Sequence, residues 1–390
     1  MARLLFITDF TEQFAYRLLK GVTNYAQRTG EQWVVTRMPP EFLRKEGVRH
    51  VVRWALRWKA DVVIGTFRPE DDVSLFRRHG IVAIAQDYIS KFDEIPNITA
   101  DYDLTGRMAA GHFLARGFRN FGFFGYRDVC WSDERLDGFR AALKDAGAED
   151  RLSVYDIQEL DARWTYESEG IGRWLLSLPK PVAVMCCDDN QASILLQACH
   201  SHGIRIPDEV AVIGVDNDEV LDNLNSPTLS SIEIDIERGG AEAAALAMRM
   251  KEDPSYFGED VVLRPVSVVT RMSTSVFATG DREVVKALQF ISKNIDNRIG
   301  VPDVLKEVPL SRRLLETRFK KVTGSTIYNY ISRQRADRFA YLLVNTKDTV
   351  AEIAARMDDP DAKSLCRRFR DIKGCSPTEY RERELRKLGV

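Results

Sequence analysis

Long apolar runs are missing from this sequence of 390 residues. No stretch approaches the 18 or more consecutive apolar residues that mark a membrane-spanning helix. Met1, Ala2 and Arg3 lead directly into a short strand-like segment instead of a secretory signal. We therefore expect no membrane partner and a location in the cytoplasm.

Cysteine patterns that bind zinc or form a disulfide framework are also missing. The six cysteines include no CxxC pair and no repeated spacing. Cys186 and Cys187 lie in the apolar run VAVMCC, so we expect them in a hydrophobic core. His200 and His202 fall on different faces of a helical pattern and make a poor metal pair. The sequence thus predicts neither a metal nor another cofactor.

Net charge is small over the whole chain, at −2, but it is unevenly distributed. Residues 283–390 carry 23 Lys and Arg against 15 Asp and Glu, whereas residues 1–282 carry 33 against 43. A phosphate-binding module joined to an acidic sensor would show this asymmetry. Ordinary variation between the surfaces of two domains would also produce it, so charge alone leaves both explanations open.

Short apolar strands alternate with amphipathic helices over most of the first 215 residues. The predicted strands are 3–8, 33–36, 61–66, 81–86, 120–125, 151–156, 182–187 and 209–215. The predicted helices include 48–58, 71–79, 103–116, 134–146, 165–177 and 190–202. This alternation predicts parallel, doubly wound sheets, and the number of elements predicts two lobes within an α/β sensor domain of residues 1–272. SPTLSSIEID and ERGGAEAAALAMRM are then expected to return the chain to the first lobe, and Arg264 to Val269 to add a last strand.

The loops after these strands carry carboxylates, an arginine and aromatic rings. Small ligands bind beyond the carboxyl ends of parallel strands, where such loops converge. Carboxylate and guanidinium groups form bidentate hydrogen bonds to vicinal sugar hydroxyls, and an aromatic face packs against the C–H side of the ring. An aspartate at a strand end is singly more often a helix N-cap, and a loop aromatic more often a core residue. The combined placement favours a sugar, with candidate contacts Tyr16, Phe67, Asp101, Trp131, Arg135, Asp189, Asp216 and Asn217.

Residues 283–390 predict an all-α domain, after a Ser/Thr/Gly-rich linker at 273–282. Two helix-turn-helix patterns, VPDVLKEV-PL-SRRLLETRFKKV and a second that begins with Thr349 and Glu352 at capping-box spacing, flank one long helical pattern. Pro309 is expected to end the first helix, and the Ser311 hydroxyl to cap the next. The apolar stripes are Leu315, Phe319 and Val322 in the first pattern and Leu365, Phe369 and Ile372 in the second. Polar faces opposite these stripes suit the DNA major groove, with candidate contacts Arg312, Arg313, Thr317, Lys320, Lys363, Ser364, Arg367 and Arg368.

This C-terminal run resembles the DNA-binding domain of the AraC family of transcription regulators. The matching positions are Leu314, Phe319, Lys320, Gly324, Arg335, Ile353, Ala354, Phe369, Pro377, Tyr380 and Arg381. The departures are Pro309 for a small residue, Phe339 for an alanine, Asp358 and Asp359 for a Gly-aromatic pair, and Leu365 for an aromatic.

A second resemblance covers the sensor. The stretch PVAVMCCDDNQASILLQACHSHGIRIPDEVAVIGVDNDEV is similar to the effector-domain signature of the LacI family, which has a periplasmic-binding-protein-like fold. The resemblance places Arg135 at that family's sugar-contacting arginine, Asp101 at the acidic residue before an interlobe helix, and Asp189 at the acidic position of its strand-helix motif. WSDERLDGF resembles a Trp-x-x-Glu-Arg segment of regulators that combine both domains, which adds Glu134 to the candidates.

Together the two resemblances imply a sugar-responsive transcription regulator, an activator of pentose catabolic genes with D-xylose or a similar pentose as its effector. Operator DNA is the expected macromolecular partner, a homodimer the expected assembly, and RNA polymerase a further candidate partner. A sugar-processing α/β enzyme with a helical accessory domain stays open, because this sheet type hosts many reactions. The sequence however lacks GxxxxGK[ST], GxGxxG, HExxH and GxSxG motifs. A third alternative is a binding module whose C-terminal helices do not contact DNA.

Overall fold

A computed structural model describes residues 2–9, 13–157, 168–275, 281–346, 348–359 and 361–387. The chain forms two compact units, one made of residues 1–112 and 120–274, the other of residues 113–119 and 275–390. The first unit contains two parallel-dominated sheets, and the second is helical. The α/β sensor fold and the all-α C-terminal domain predicted from the sequence are both confirmed.

The first lobe is built on a six-stranded sheet with strand order β11-β5-β4-β3-β1-β2. Its strands are β1 (Ala2–Ile7), β2 (Trp33–Met38), β3 (Val62–Thr66), β4 (Val82–Gln86), β5 (Asn97–Ala100) and β11 (Val261–Leu263). Its helices are α1 (Gln13–Thr29), α2 (Pro40–Glu46), α3 (Val48–Trp58), α4 (Ser74–Arg78) and α10 (Ile236–Glu252). The pairs within this sheet are parallel, and its inner strands are almost fully buried, as expected for a sheet covered by helices on both faces.

The second lobe is built on a six-stranded sheet with order β12-β10-β9-β8-β6-β7. Its strands are β6 (Asn120–Tyr126), β7 (Leu152–Ile157), β8 (Val182–Cys186), β9 (Val210–Val215), β10 (Ser230–Ile234) and β12 (Pro265–Val269). Its helices are α5 (Tyr102–Ala115), α6 (Cys130–Asp145), α7 (Ser168–Ser177), α8 (Asp189–Ser201) and α9 (Glu219–Leu224). Cys186 and Cys187 are completely buried here, as the sequence predicted.

One prediction about the return of the chain is wrong in part. The strand within SPTLSSIEID, β10, pairs with β9 and β12 in the second lobe, and only the helix that follows it, α10, packs on the first lobe against α1. β12 is antiparallel to β10, so the second sheet is mixed. Hydrophobic periodicity identifies a strand but not its sheet, which explains the error.

The boundary after the sensor also differs from the predicted linker at 273–282. Ser273 and Thr274 are fully buried in a short 3-10 turn, Met272–Thr274, and belong to the first unit. Residues 276–280 lie outside the described residues. Asp281 is already the N-cap of the next helix, where its carboxylate accepts hydrogen bonds from Glu283 N and Val284 N.

Between residues 281 and 387, the described part of the second unit forms seven helices. They are α11 (Arg282–Lys293), α12 (Val301–Lys306), α13 (Arg312–Thr323), α14 (Ile327–Asn345), α15 (Val350–Arg356), α16 (Ala362–Lys373) and α17 (Pro377–Lys387). One core cluster joins α11, α12, α13 and the start of α14, and another joins the rest of α14 to α15 and α16. None of the described helices has the length and apolarity that a bilayer crossing requires.

Local capping separates correct from incorrect predictions in this unit. Thr349 and Glu352 form the predicted capping box, with Glu352 N donating to Thr349 Oγ1 at 3.3 Å and Thr349 N to the Glu352 carboxylate at 2.7 Å. Ser311 is the N-cap of α13, but its hydroxyl makes no capping hydrogen bond, contrary to the prediction.

The predicted apolar stripe of α16 is shorter than expected. Ile372 is half-exposed, so only Leu365 and Phe369 of the stripe are buried.

Candidate effector cleft and DNA-binding surface

Arg135 on α6 is at the centre of the candidate cleft. Its side chain is buried, and Nη1 donates a hydrogen bond to the Cys187 carbonyl at 2.5 Å. The guanidinium carbon lies 5.0 Å from the ring centroid of Tyr102 and 5.4 Å from that of Trp131. A cation so placed on two aromatic faces is fixed in orientation. Arg135 therefore presents a rigid donor at the carboxyl ends of β6 and β8.

Two glycines bring the helix of Tyr102 against the helix of Arg135. A Cβ at Gly106 on α5 would lie 2.1 Å from the Arg135 carbonyl oxygen, and a Cβ at Gly138 on α6 would lie 2.1 Å from the Asp103 carbonyl oxygen. Real Cβ atoms do not approach backbone so closely, so a side chain at either position would separate the two helices. The contact between the Tyr102 ring and the guanidinium depends on this spacing.

Asp216 lies beside Arg135 on the loop that follows β9. Its Oδ1 is 3.7 Å from Arg135 Nη2, close enough for ion pairing but too far for a hydrogen bond. Burial raises the pKa of Asp216, and the positive charges of Arg135 and Arg17 oppose this rise. Arg17, on α1 of the first lobe, donates to the carbonyls of Asp216 at 2.7 Å and of Ile234 at 3.1 Å. The two lobes are thus connected at the edge of this loop.

Two polar atoms of this pair lack a hydrogen-bond partner within the part of the chain that the structure describes. They are Arg135 Nε and Asp216 Oδ1, and both are shielded from solvent. A buried polar group without a partner costs about 1–3 kcal/mol. Asp216 also has a φ angle of 100°, which residues other than glycine rarely adopt, and Asn217 has a left-handed φ of 54°. Unpaired atoms and a strained turn in one place are typical of a ligand-binding position.

A second buried carboxylate, Asp87, faces the same aromatic group. The Tyr102 hydroxyl donates to both oxygens of Asp87, at 2.9 and 2.8 Å. Burial raises the pKa of Asp87 to about 6, while the hydrogen bond from Tyr102 and the charges of Lys91 and Arg135 lower it. Lys91 in turn forms an ion pair with Glu134 at 2.8 Å. Arg135, Tyr102 and Asp87 consequently form one continuous polar and aromatic wall.

The predicted DNA-binding surface consists of α13 and α16 in the second unit. Arg312, Arg313, Thr317 and Lys320 are exposed on α13, and Lys363 and Arg367 are exposed on α16. Ser364 is half-buried, and its amide donates to the Asp361 carboxylate at 3.1 Å. Arg368 is the exception, because its Nη2 donates to the buried Asp359 Oδ2 at 2.7 Å. The side chain that remains exposed beside it is Arg367.

Both units of the chain are similar to known protein families. The family described as periplasmic binding protein-like domain matches residues 110–274, and the helix-turn-helix domain family matches residues 304–383. The xylose operon regulatory protein of Escherichia coli K12 is 25% identical over 97% of both chains. The protein of that name from Haemophilus influenzae is 27% identical over 94% of both. A solved structure of the xylose-binding transcription activator xylR covers 97% of both chains with 25% identity and a TM-score of 0.58.

The chain is a transcription regulator. It joins a periplasmic-binding-protein-like sensor to an AraC-type helix-turn-helix domain, in the order that the sequence predicted. The names of its relatives favour this function over the enzyme alternative.

Several predicted effector contacts of the regulator serve neighbouring backbone or side chains. Asp189 is buried, and its two oxygens accept hydrogen bonds from Ser231 Oγ at 2.7 Å and from Asp218 N at 2.9 Å. Asn217 Oδ1 accepts a hydrogen bond from Arg271 Nη2 at 2.7 Å. Both residues thus support the turn that holds Asp216.

Other predicted contacts lie further from the Arg135–Asp216 pair. Asp101 caps α5, with Leu104 N donating to its Oδ1 at 3.0 Å. Tyr16 is half-exposed on α1. The prediction that Phe67 contacts the effector is wrong. Phe67 is 1% exposed and packs in the first-lobe core, where its ring centroid lies 5.6 Å from that of Phe76. A loop aromatic that follows an apolar strand is as easily turned inward as outward, and here burial of its large apolar surface favours the core.

The sequence pointed to the strand-end loops 86–88 and 101–103, but Asp87 and Tyr102 were not among the individual candidate contacts. Asp87 directly follows β4, so its position at a strand end was a usable signal. Tyr102 also lies close to a strand end, two residues after β5, but its contact with Arg135 depends on the close approach of α5 to α6.

Proposed function

We propose that this regulator is a sugar-responsive transcription activator whose effector is D-xylose or a similar pentose. The observation that carries the proposal is the Arg135–Asp216 pair, with one unpartnered buried donor atom and one unpartnered buried acceptor atom between aromatic rings. The name that the two relatives share, xylose operon regulatory protein, supports D-xylose as the first sugar to test.

The chemistry of the pair suits a neutral polyol. A sugar hydroxyl both donates and accepts, so one hydroxyl can accept from Arg135 Nε while another donates to Asp216 Oδ1. Trp131, which is half-buried, would offer the rest of its apolar ring surface to the C–H side of the sugar. Such a ligand would satisfy both unpartnered atoms without bringing a charge into the cleft.

Thermal unfolding of the full chain with D-xylose, L-arabinose, D-ribose and D-glucose tests this function. A sugar that binds the folded state raises Tm by mass action, and the rise increases with sugar concentration. Asp216→Asn keeps the shape of the side chain but removes the acceptor charge, and should weaken binding by about 1–3 kcal/mol. Titration calorimetry on both proteins measures this difference.

Asp137→Asn is the matched control, because Asp137 is an exposed carboxylate on the same helix as Arg135 and pairs only with Arg140 among the described residues. Its sugar affinity should equal that of the unchanged protein. The proposal fails if none of the four sugars raises Tm, or if Asp216→Asn binds as tightly as the unchanged chain.

We also propose that a homodimer binds double-stranded operator DNA in the cytoplasm and activates transcription by contacting RNA polymerase. Two copies would double the number of phosphate contacts, and binding should therefore weaken steeply as salt increases. Analytical ultracentrifugation tests the homodimer. Retention of DNA at about 50 and about 200 mM salt tests the phosphate contacts, because these contacts lose much of their affinity over this range. A monomer with salt-insensitive retention would reject both.

A further inference from the structure

The chain leaves the sensor through a segment that several hydrogen bonds hold in place, Arg271–Thr274. Arg271 N donates to Ser230 Oγ at 2.7 Å, and Ser273 Oγ donates to the Val212 carbonyl at 2.6 Å. Thr274 Oγ1 lies 2.8 Å from Ser230 Oγ and 2.9 Å from His112 Nε2. Ser230, Ser273 and Thr274 are fully buried, so each of these hydrogen bonds would be costly to lose.

The side chain of Arg271 extends from this exit segment to the effector cleft. Nη1 donates to the Leu229 carbonyl at 2.9 Å, and Nη2 donates to Asn217 Oδ1 at 2.7 Å. Asn217 directly follows Asp216, and both have positive φ angles. One side chain therefore connects the strained turn beside Arg135 to the residues from which the chain continues to the DNA-binding unit.

This connection is well suited to transmit a change in the turn. The Asp216–Asn217 turn is strained, so its geometry depends on the groups that hold it. On the cleft side these are the Arg135 charge and, in the proposed function, a sugar hydroxyl on Asp216 Oδ1. On the other side they include the Arg271 guanidinium. A ligand that shifts the turn would change the length or geometry of the Asn217–Arg271 hydrogen bond. This change would in turn act on the exit segment.

We propose that Arg271 couples occupancy of the effector cleft to the exit segment at residues 271–274. It is a positioning residue, because its guanidinium donates to Asn217 Oδ1 and to the Leu229 carbonyl and so acts on Asp216 through Asn217. The inference rests on the proposed function, since it requires that a sugar bind at Asp216. Coupling in this sense is a free energy shared by two sites, here the cleft and the exit segment.

Hydrogen-deuterium exchange on the full-length protein, with and without D-xylose, tests this role. In the unchanged protein, sugar should alter exchange in the peptide that contains Arg271 to Thr274. In Arg271→Met, which keeps an unbranched apolar side chain but removes the guanidinium and its donors, this sugar-dependent change should be lost while D-xylose still binds by calorimetry. Arg271→Lys keeps the charge and fewer donors, so it should retain part of the change.

Arg264→Met is the matched control, because Arg264 is an exposed arginine directly before β12, whereas Arg271 lies two residues after the end of that strand. It should behave as the unchanged protein. The inference is overturned if Arg271→Met keeps the full sugar-dependent change, or if sugar binds the unchanged protein without affecting this peptide. If Arg271→Met does not fold, Arg271→Lys decides, and an unreduced change in it rejects the coupling. Absence of sugar binding in the unchanged protein instead rejects the proposed function.

Discussion

The turn of the first helix-turn-helix unit is apolar, whereas the turn of the second is built from two aspartates. Between α12 and α13, Val308 is buried and Leu310 packs against the same core. Between α15 and α16, Asp358 adopts a left-handed conformation with φ 51°, and Asp359 is buried. Both turns depart from the AraC pattern, the first at Pro309 and the second at Asp358 and Asp359.

The buried aspartate of the second turn is paired. Asp359 Oδ2 accepts hydrogen bonds from Arg368 Nη2 at 2.7 Å and from Arg335 Nη2 at 3.3 Å. Arg335 on α14 also donates to the carbonyls of Met357 at 3.0 Å and Ile295 at 3.2 Å. One arginine therefore contacts backbone before α12 and the turn before α16. The turn of the second helix-turn-helix unit is held by an ion-pair network, whereas the turn of the first is held by hydrophobic packing.

The largest effect is expected from Asp359→Ala. The substitution leaves Arg335 largely buried without its charge partner, which typically costs about 3–5 kcal/mol. Amide exchange in α16 should become much faster, while exchange in α13 changes little. Asp371→Ala, an exposed aspartate on α16, is the control and should leave both helices as they were. Equal loss of protection from exchange in α13 and α16 would show that the two helix-turn-helix units are not stabilised separately.

An intermediate effect is expected for the exposed arginines of the two units. If Arg313 and Arg367 contact base edges, Arg313→Ala and Arg367→Ala should each weaken the preference for one base over the others, and each should do so at its own base pairs. The expected loss of discrimination is about 1–3 kcal/mol for each contact. Selection of bound duplexes from a random-sequence DNA pool measures these preferences. Arg318→Ala is the control on α13, because Arg318 lies 3.5 Å from Asp281 in an ion pair. Uniform weakening on all sequences would mark the two arginines as phosphate contacts.

The smallest effect is expected from Asp358→Gly. Glycine adopts the left-handed conformation without steric cost, so the free energy of unfolding of the second helix-turn-helix unit should rise by up to about 1 kcal/mol. The hydrogen bond from Arg298 N to Asp358 Oδ2, at 3.4 Å, is long and contributes little against this gain. Amide exchange in α15 and α16 reports the change. Slower exchange supports strain at Asp358, and faster exchange would show that the side chain stabilises the turn.

The sequence predicted those parts of the regulator that depend on neighbours along the chain. The helix at 48–58 has the predicted bounds, and Thr349 and Glu352 form the predicted capping box. These features depend on spacings of three or four residues, which a sequence displays directly. The apolar stripes of α13 and α16 were mostly correct for the same reason.

Features that depend on contacts between distant segments were predicted less well. The placement of β10 in the second sheet, the burial of Phe67 and the pairing of Arg368 with Asp359 each depend on residues far away or on a turn of unusual composition. The same holds for the Asn217–Arg271 hydrogen bond, which joins residues 54 positions apart in the chain. Composition identified the cleft as a region but could not show which carboxylates were already occupied by protein donors.

The tryptophan beside Arg135 has an optical consequence. All six tryptophans of the chain precede the DNA-binding unit, the last being Trp174. Intrinsic fluorescence excited at the indole band therefore reports on the sensor alone, while the helix-turn-helix unit contributes only tyrosine emission. Among the tryptophans that the structure describes, Trp131, with its ring 5.4 Å from the Arg135 guanidinium, is the one that we expect to respond if a sugar fills the cleft. The regulator thus carries a label-free emission signal whose origin is confined to the domain that would receive the effector.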